Sequence, residues 1–405
     1  MDEQAREIGR RVRYWRDRRH LDRQTFADRV GRSTSWLDKI ESGERALVRL
    51  PMIERVAEVL AIAPEVLTDS NAADRAEGCV DVAEVQAIRT ALGAYPALGA
   101  VQADQLRPLS TVLRQAEYLD LAWTTSRFTV VAQHLPALID EAQLHVLTAK
   151  RADQLDAHRT LVTTYRLASS MLLKFEANHI AWLAADRAMH TAISTDDTWS
   201  LARATRSVAR AMAASDQRNE AVTTSLAMTD RMRPELTRDA GNLLALFGML
   251  FLATSITAAE SEDAGLALEM HSEATAAAAR LRPTDATHNT FFGPTNVAIH
   301  RVAALVRLHE SGQALEFART IDPTRVARLS PERKVNFLLD LVEAHASTAD
   351  YSQAVRLLEQ AEQTAPEEVH CRPLAHGLLR SLLHNTIGDQ GRVVRQMAIR
   401  AGVTA

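Results

Sequence analysis

Residues 21–45 read LDRQTFADRVGRSTSWLDKIESGER. Two short helices fit this stretch, with one tight joint between them. Asp22 stands where an N-cap belongs, ahead of a helix predicted over Arg23 to Val30. Gly31 follows, the residue that best tolerates a left-handed helix exit. Ser33 caps the next helix, predicted over Thr34 to Glu41, and Gly43 ends it. Working outward, Ile8, Val12 and Trp15 recur at helical spacing in a helix ending near His20. Leu50, Ile53, Val56, Ala57 and Leu60 share one face of a helix beginning about Arg49. Two short helices joined by a glycine-containing turn are a helix-turn-helix signature.

The string resembles the Cro/C1-type (XRE) helix-turn-helix family over roughly residues 8–67. Gln24, Ala27, Val30, Gly31, Ser33, Leu37, Ile40, Glu41 and Gly43 stand at that family's pattern positions. Phe26, where a leucine is usual, and Trp36, where a smaller or β-branched residue or Tyr is common, depart from it. The resemblance implies binding of double-stranded DNA, with the first turn of the second helix reaching base edges in the major groove. That turn offers Thr34, Ser35 and Asp38, with Lys39 nearby. Asp38 either accepts from a cytosine amine or faces solvent. Gln24 would contact the backbone and brace the reading helix. Arg32, Ser33, Ser42 and Arg45 flank that helix at positions suited to phosphates, although such arginines are also ordinary solubilising residues. Trp36 has both a core reading and a DNA-backbone reading. Seven arginines in the first 20 residues lie on the first helix, some expected near the backbone and others as plain surface. One short helix reads few base pairs, so a homodimer is expected.

Charge agrees with this division. Residues 1–63 carry 14 basic and 11 acidic side chains, a net +3; the remainder carries 33 and 40, a net −7. A basic head on an acidic body fits a polyanion partner for the head alone. At 405 residues, 46% hydrophobic, with 12 prolines, the chain can bury a core in more than one domain. Its two cysteines, Cys79 and Cys371, are far apart, which fits a reducing compartment and no disulfide framework. The N-terminus opens on charge, and the longest apolar run, Leu243 to Ile256, reads as too short to span a bilayer. A cytoplasmic location with no membrane partner is expected.

Pro64 to Asp81 shows no hydrophobic period and reads as a hinge. The expected domains are 1–68, a linker at 69–80, and a body at 81–405. The body reads as helix throughout, with breaks at Gly93 to Pro96, Thr195-Asp196-Asp197, Arg233-Pro234, Arg282-Pro283, Gly293-Pro294, Ile321 to Pro323, Pro366 and Gly388-Asp389. The clearest repeat runs from Val335 to Pro366: Leu338, Leu341 and His345 in one helix, then Ala354, Leu358 and Ala361 in the next. It looks like a tetratricopeptide repeat. Ala181, Ala221, Ala314 and Ala354 mark degenerate copies about 40 residues apart, with one unit poorly marked between Ala221 and Ala314. The expected fold class is therefore all-α: an N-terminal helix-turn-helix domain followed by a tetratricopeptide-like solenoid, with an irregular helical bundle as the alternative.

That plan resembles peptide-sensing regulators of Gram-positive bacteria. It resembles more closely a group of XRE/tetratricopeptide regulators in antibiotic-producing, GC-rich bacteria, in which a segment like FFGPTNVAIHRVAALVRLHESGQALEFAR (residues 291–319) is familiar. The resemblance implies a peptide or small-molecule effector in the groove of the solenoid. Candidate contacts are Phe291, Phe292, Asn296 and His300, with Arg333, Asn336 and Asn242 on neighbouring repeats. Thr295 or Asn296 could instead merely cap a helix. Tyr165, Trp182 and Trp199 read as core. The chain has no P-loop, no G-x-G-x-x-G and no G-x-S-x-G, and its single His-Glu pair, at residues 309–310, does not continue into a zinc motif. Neither enzyme activity nor a metal or cofactor is expected. The rival function is a DNA-localised scaffold whose body recruits a protein; an exposed apolar patch would favour it, and an enclosed pocket with convergent Asn, Arg and aromatic side chains would favour the sensor.

Overall fold

The computed structural model describes residues 3–99, 106–236, 241–282 and 290–403, and every regular element among them is helical. Pro283, in one of the expected breaks, lies outside the described residues. The chain divides into two compact units, Met1–Glu84 and Val85–Ala405.

The first unit holds α1 (Glu3–Arg18), α2 (Arg23–Val30), α3 (Thr34–Glu41), α4 (Leu50–Leu60), α5 (Glu65–Thr68) and α6 (Ser70–Glu77). Trp15, Phe26, Leu37, Ile40, Val56, Leu60 and Leu67 form its core. Each such side chain contributes about 1.5–3 kcal/mol relative to exposure. Gly9 sets the crossing of α1 and α3: a Cβ there would sit 2.1 Å from the Ile40 carbonyl oxygen.

The stretch expected to be a hinge differs. Asp69 caps α6, its carboxylate accepting from the Asn71 N–H at 2.9 Å, so a helix starts within that stretch. The end of this unit is tied to α1 by Arg18. Its guanidinium donates to Glu84 through Nε (2.8 Å) and Nη2 (3.0 Å), and to the carbonyls of Glu77 (2.9 Å) and Cys79 (2.6 Å). Burial opposes the charge on Arg18, but Glu84 outweighs it and holds the group above its ordinary range. Arg18 and Arg19 also stack on Trp15, at 4.7 and 5.0 Å from the ring centroid.

Helix α7 (Val82–Gly93) leads into a series of helix pairs. They are α8 (Leu109–Thr124) with α9 (Phe128–Thr148), α10 (Gln154–Lys174) with α11 (Asn178–Ile193), and α12 (Thr198–Ala213) with α13 (Arg218–Met232). Next come α14 (Gly241–Glu260) with α15 (Ala264–Ala279), and α16 (Pro294–Arg307) with α17 (Ser311–Ala318), trailed by α18 (Pro323–Val326). The last are α19 (Pro331–Ser347) with α20 (Tyr351–Thr364), the short α21 (Pro366–His370), and α22 (Pro373–Asn385) with α23 (Gly388–Ala401). First helices stack on first helices, α8 on α10, α10 on α12, and so on to α19 on α22.

One turn geometry recurs within six of these pairs. A non-glycine residue adopts left-handed φ: Ser126, Glu176, Asp216, Glu262, His309 and Ala349, all between 58° and 61°. The following N–H closes on a carbonyl five residues back, as Arg127 does on Ala122 at 2.8 Å and Asp350 on His345 at 2.9 Å. Five residues beyond each left-handed residue stands a small or β-branched, buried side chain: Val131, Ala181, Ala221, Ala267, Ala314 and Ala354. Ala267 is thus the mark of the unit the sequence left unmarked.

The body curls until its ends meet, and α8 packs against α19. At the seam Ser126 Oγ donates to Glu368 (2.9 Å) and the Thr129 N–H to Glu367 (2.8 Å). Lys174 Nζ lies 2.7 Å from Glu368 and 3.2 Å from Glu332. The apolar run near residue 250 extends into a 20-residue helix, longer than expected, and 78% of its apolar window is buried inside the protein. It is one of the first helices of the series, and its Gly248 receives the Phe292 ring, 1.9 Å from where a Cβ would stand.

Candidate nucleic-acid interface and inner cavity

Helix α3 and the turn before it are built by their caps. Asp22 accepts from the Thr25 N–H at 2.9 Å and starts α2; Gly31, at φ 75°, ends it. Ser33 Oγ accepts from the Trp36 N–H at 3.2 Å and starts α3. Ser33 therefore has a local role whatever else it touches. Leu37 and Ile40 face the core, which turns Ser35, Asp38 and Lys39 outward; Thr34 is half-buried. Gln24, Arg32, Ser42 and Arg45 are exposed around them. Arg32, Ser33, Trp36 and Arg45 line one shallow depression with Asp28. Trp36 is half-buried against the core, so one ring serves both the packing and this rim. Asp38 is 3.7 Å from Arg23, an exposed pair, and Gln24 Nε2 donates to Asp28 at 2.8 Å.

Glu41 and half of the α1 arginines are used internally. Arg16 grips Glu41 through Nε (2.7 Å) and Nη2 (3.2 Å), with both side chains buried, and so bolts α1 to α3. That pairing raises Arg16 above its ordinary range. Arg11 donates to the Leu67 carbonyl at 3.0 Å and Arg19 to that of Leu60 at 2.8 Å. Only Arg6, Arg10 and Arg13 of the seven are exposed. The α1 arginine run is therefore more a clamp than a phosphate-facing stripe.

In the body, the inner helices line a partly open cavity of about 440 Å³. Of the expected effector contacts, Phe291, His300, Arg333 and Asn336 line it. Phe291 stands at φ 52°, a conformation uncommon outside glycine. His300 Nδ1 meets the Asn296 carbonyl at 2.8 Å; burial, with Arg333 beside it, pushes the ring down to about 3. The imidazole is thus neutral, with Nδ1 donating and Nε2 left as an acceptor. Asn336 donates to the Glu332 carboxylate (2.7 Å) and accepts from Arg372 (2.9 Å). Arg333 sits 3.6 Å from Glu332.

Phe292, Asn296 and Asn242 are not among the lining residues. Phe292 fills the notch at Gly248. Asn296 is buried and turned toward the Met249 sulfur at 3.6 Å, and its Oδ1 has no partner. Neither Thr295 nor Asn296 caps α16, which starts from Gly293 with Pro294 in its first turn. Asn242 Oδ1 is likewise buried without a partner.

The side chains that dominate the cavity escaped the sequence reading. Arg203, Arg206 and Arg210 occupy one face of α12, at a spacing of three and four residues. The signal was present in LARATRSVARAM, where alanines hide the other face. Arg203 stacks over Trp199 at 4.5 Å, so that half-buried tryptophan, expected as core, backs a lining residue of the cavity. Lys174 also lines the cavity; burial pushes its ammonium down, against Glu368 and Glu332. Burial would push Glu332 up, but Lys174 and Arg333 outweigh it and hold it below the usual carboxylate range. Burial pushes Asp340 up to about 6, although Arg307 lies 3.3 Å away.

No curated protein and no solved structure matches the chain. Residues 7–70 match the family model described as a helix-turn-helix domain, a span that runs from α1 to the start of α6. The chain therefore carries an N-terminal helix-turn-helix domain of the DNA-binding, XRE-like type, followed by a body of stacked helix pairs.

Proposed function

We propose that this protein is a ligand-responsive, sequence-specific transcriptional regulator. The head, over the expected residues 1–68 and extended through α6, binds operator DNA. The body, from residue 81 onward, dimerises and holds an effector, a peptide or small molecule, in its inner cavity. One observation carries the reading: the caps at Ser33 and Gly31 present Ser35, Asp38 and Lys39 on the outer face of a helix whose other face is core. Such a helix fits the major groove, and Arg32, Ser42 and Arg45 stand beside it at phosphate-reaching positions. Gln24 braces the start of α2. A deep, partly open cavity with aromatic, amide and guanidinium side chains supports a sensor over a recruiting scaffold. Effector binding would act by changing the spacing of two heads on two half-sites.

The test is selection of a binding site from a randomised duplex pool, followed by salt-dependent titration. Arg45→Ala is expected to weaken binding to all sequences and to lower the salt slope by about 1, whereas Ser35→Ala is expected to change base preference at a fixed position. Unchanged binding in both variants would remove α3 from the groove. Native mass spectrometry on the same protein reads the oligomer: a monomer at binding concentrations would count against the two-headed arrangement.

A further inference from the structure

Three of the guanidinium groups that line the cavity form no ion pair with a carboxylate among the described residues. Eight basic side chains and four carboxylates line the cavity. Most of the basic groups are matched: Lys174 with Glu332 and Glu368, Arg166 with Asp120, Arg307 with Asp340, Arg333 with Glu332, and Arg372 with Glu368. Arg203, Arg206 and Arg210 on α12 have no ion pair among the described residues. Among the described residues Arg210 donates only to the Ser170 hydroxyl, at 3.4 Å. The Nε atoms of Arg203 and Arg206 are buried without a hydrogen-bond partner. Burial pushes Arg203 down to about 9 and moves Arg206 and Arg210 the same way; neighbouring arginines add to it, and Asp120, Glu332 and Glu260 oppose it only in part.

An arrangement of this kind destabilises the empty protein. Buried charge is normally paired, because desolvation is repaid only by a partner. Three guanidinium groups within two turns of one helix also repel each other. What repays both costs is an anion, since guanidinium forks match the geometry of phosphate and carboxylate oxygens. Apolar side chains line the cavity as well, among polar ones from the same helices: Leu246, Met249 and Ile256 from α14, Ile299 from α16 and Phe337 from α19. The volume, about 440 Å³, is that of a small-molecule site.

We propose that the effector is a small organic anion whose phosphate or carboxylate group is held by Arg203, Arg206 and Arg210 of α12, and whose apolar part lies against α14, α16 and α19. This rests on the reading of the cavity as an effector site and narrows it. His300 Nε2, as an acceptor, is free to take a hydroxyl or amide hydrogen of the same ligand.

Calorimetric titration of the full-length protein tests it, with 1-naphthyl phosphate as the probe and uncharged 1-naphthol as its control. The phosphate ester should bind with one molecule per chain. Arg206→Met and Arg210→Met should each weaken it about ten- to hundredfold, the range for losing one charged hydrogen bond, and 1-naphthol should bind wild type more weakly by a similar factor. Without ligand, Arg206→Met should melt no lower than wild type, because it removes a half-buried charge that makes no ion pair among the described residues; a lower melting temperature would mean that Arg206 is a structural group. Equal binding of the two probes, no binding of the phosphate ester at millimolar concentration, or unchanged binding by Arg206→Met would overturn the anion site. Should the ester bind through these arginines and yet leave affinity for the selected duplex unchanged, the anion site stands and the regulatory reading falls.

Discussion

Replacing Lys174 with methionine should open the seam of the body. The ammonium sits 2.7 Å from Glu368 and 3.2 Å from Glu332, and 4.8 Å from the ring centroids of both Trp123 and Phe128. Its side chain is 6% exposed and that of Glu368 is fully buried. Methionine keeps most of the volume and the contact with the rings but leaves the carboxylates short of a cation. Removing one partner of a buried pair costs about 3–5 kcal/mol. Arg372 still reaches Glu368 at 2.8 Å and Arg333 stays 3.6 Å from Glu332, so the low end, about 3 kcal/mol, is expected. Urea unfolding at pH 7, followed by tryptophan fluorescence and circular dichroism, reads the loss as a lowered midpoint. The double variant Lys174→Met with Glu368→Gln should regain part of it, since the uncompensated charge goes with the carboxylate. A single variant within about 0.5 kcal/mol of wild type, the usual range for surface substitutions, would refute the claim that this triad holds the ends together.

Gly9→Ala should destabilise the head by at least about 2 kcal/mol, because a backbone carbonyl, unlike a side chain, cannot rotate out of a 2.1 Å contact; thermal melting of the helix-turn-helix domain within the full chain measures it, and an unchanged melt would contradict the close crossing of α1 and α3. In the body, burial opposes the charge on Glu362, but His370 and Arg400 outweigh it and lower the group to about 2. A depressed carboxylate adds stability above its unfolded value near 4.5 and loses it as pH falls toward 2. Glu362→Gln should therefore flatten the acid limb of the stability profile in that window; a profile that keeps its wild-type slope would place the acid sensitivity elsewhere.

The limits of α2 and α3 were legible to the residue because caps are local: Asp22 and Ser33 each bond an N–H three positions on, so side chain and helix start are read together. The phase of the repeats was legible for a similar reason, since a small residue must stand where paired helices approach, and Ala181, Ala221, Ala314 and Ala354 do. The turns within the pairs were not: they are closed by Ser, Glu, Asp, His and Ala in left-handed geometry, where sequence reading looks for glycine. The hinge between Pro64 and Asp81 was misread because what orders it, Arg18, lies some 60 residues away.

Sequence alone thus determined the helical class, the two-part plan and the face of α3, all consequences of contacts within a few residues. Tertiary structure decided the closure of the body and the character of its cavity. Ser126 and Glu368 meet across 242 positions, and no period in the chain announces that α8 will close on α19. Arg203, Arg206 and Arg210 share a helix face by spacing alone, but whether that face meets solvent, where three arginines cost little, or an inner cavity, where they call for an anion, depends on the curvature accumulated over every pair before it.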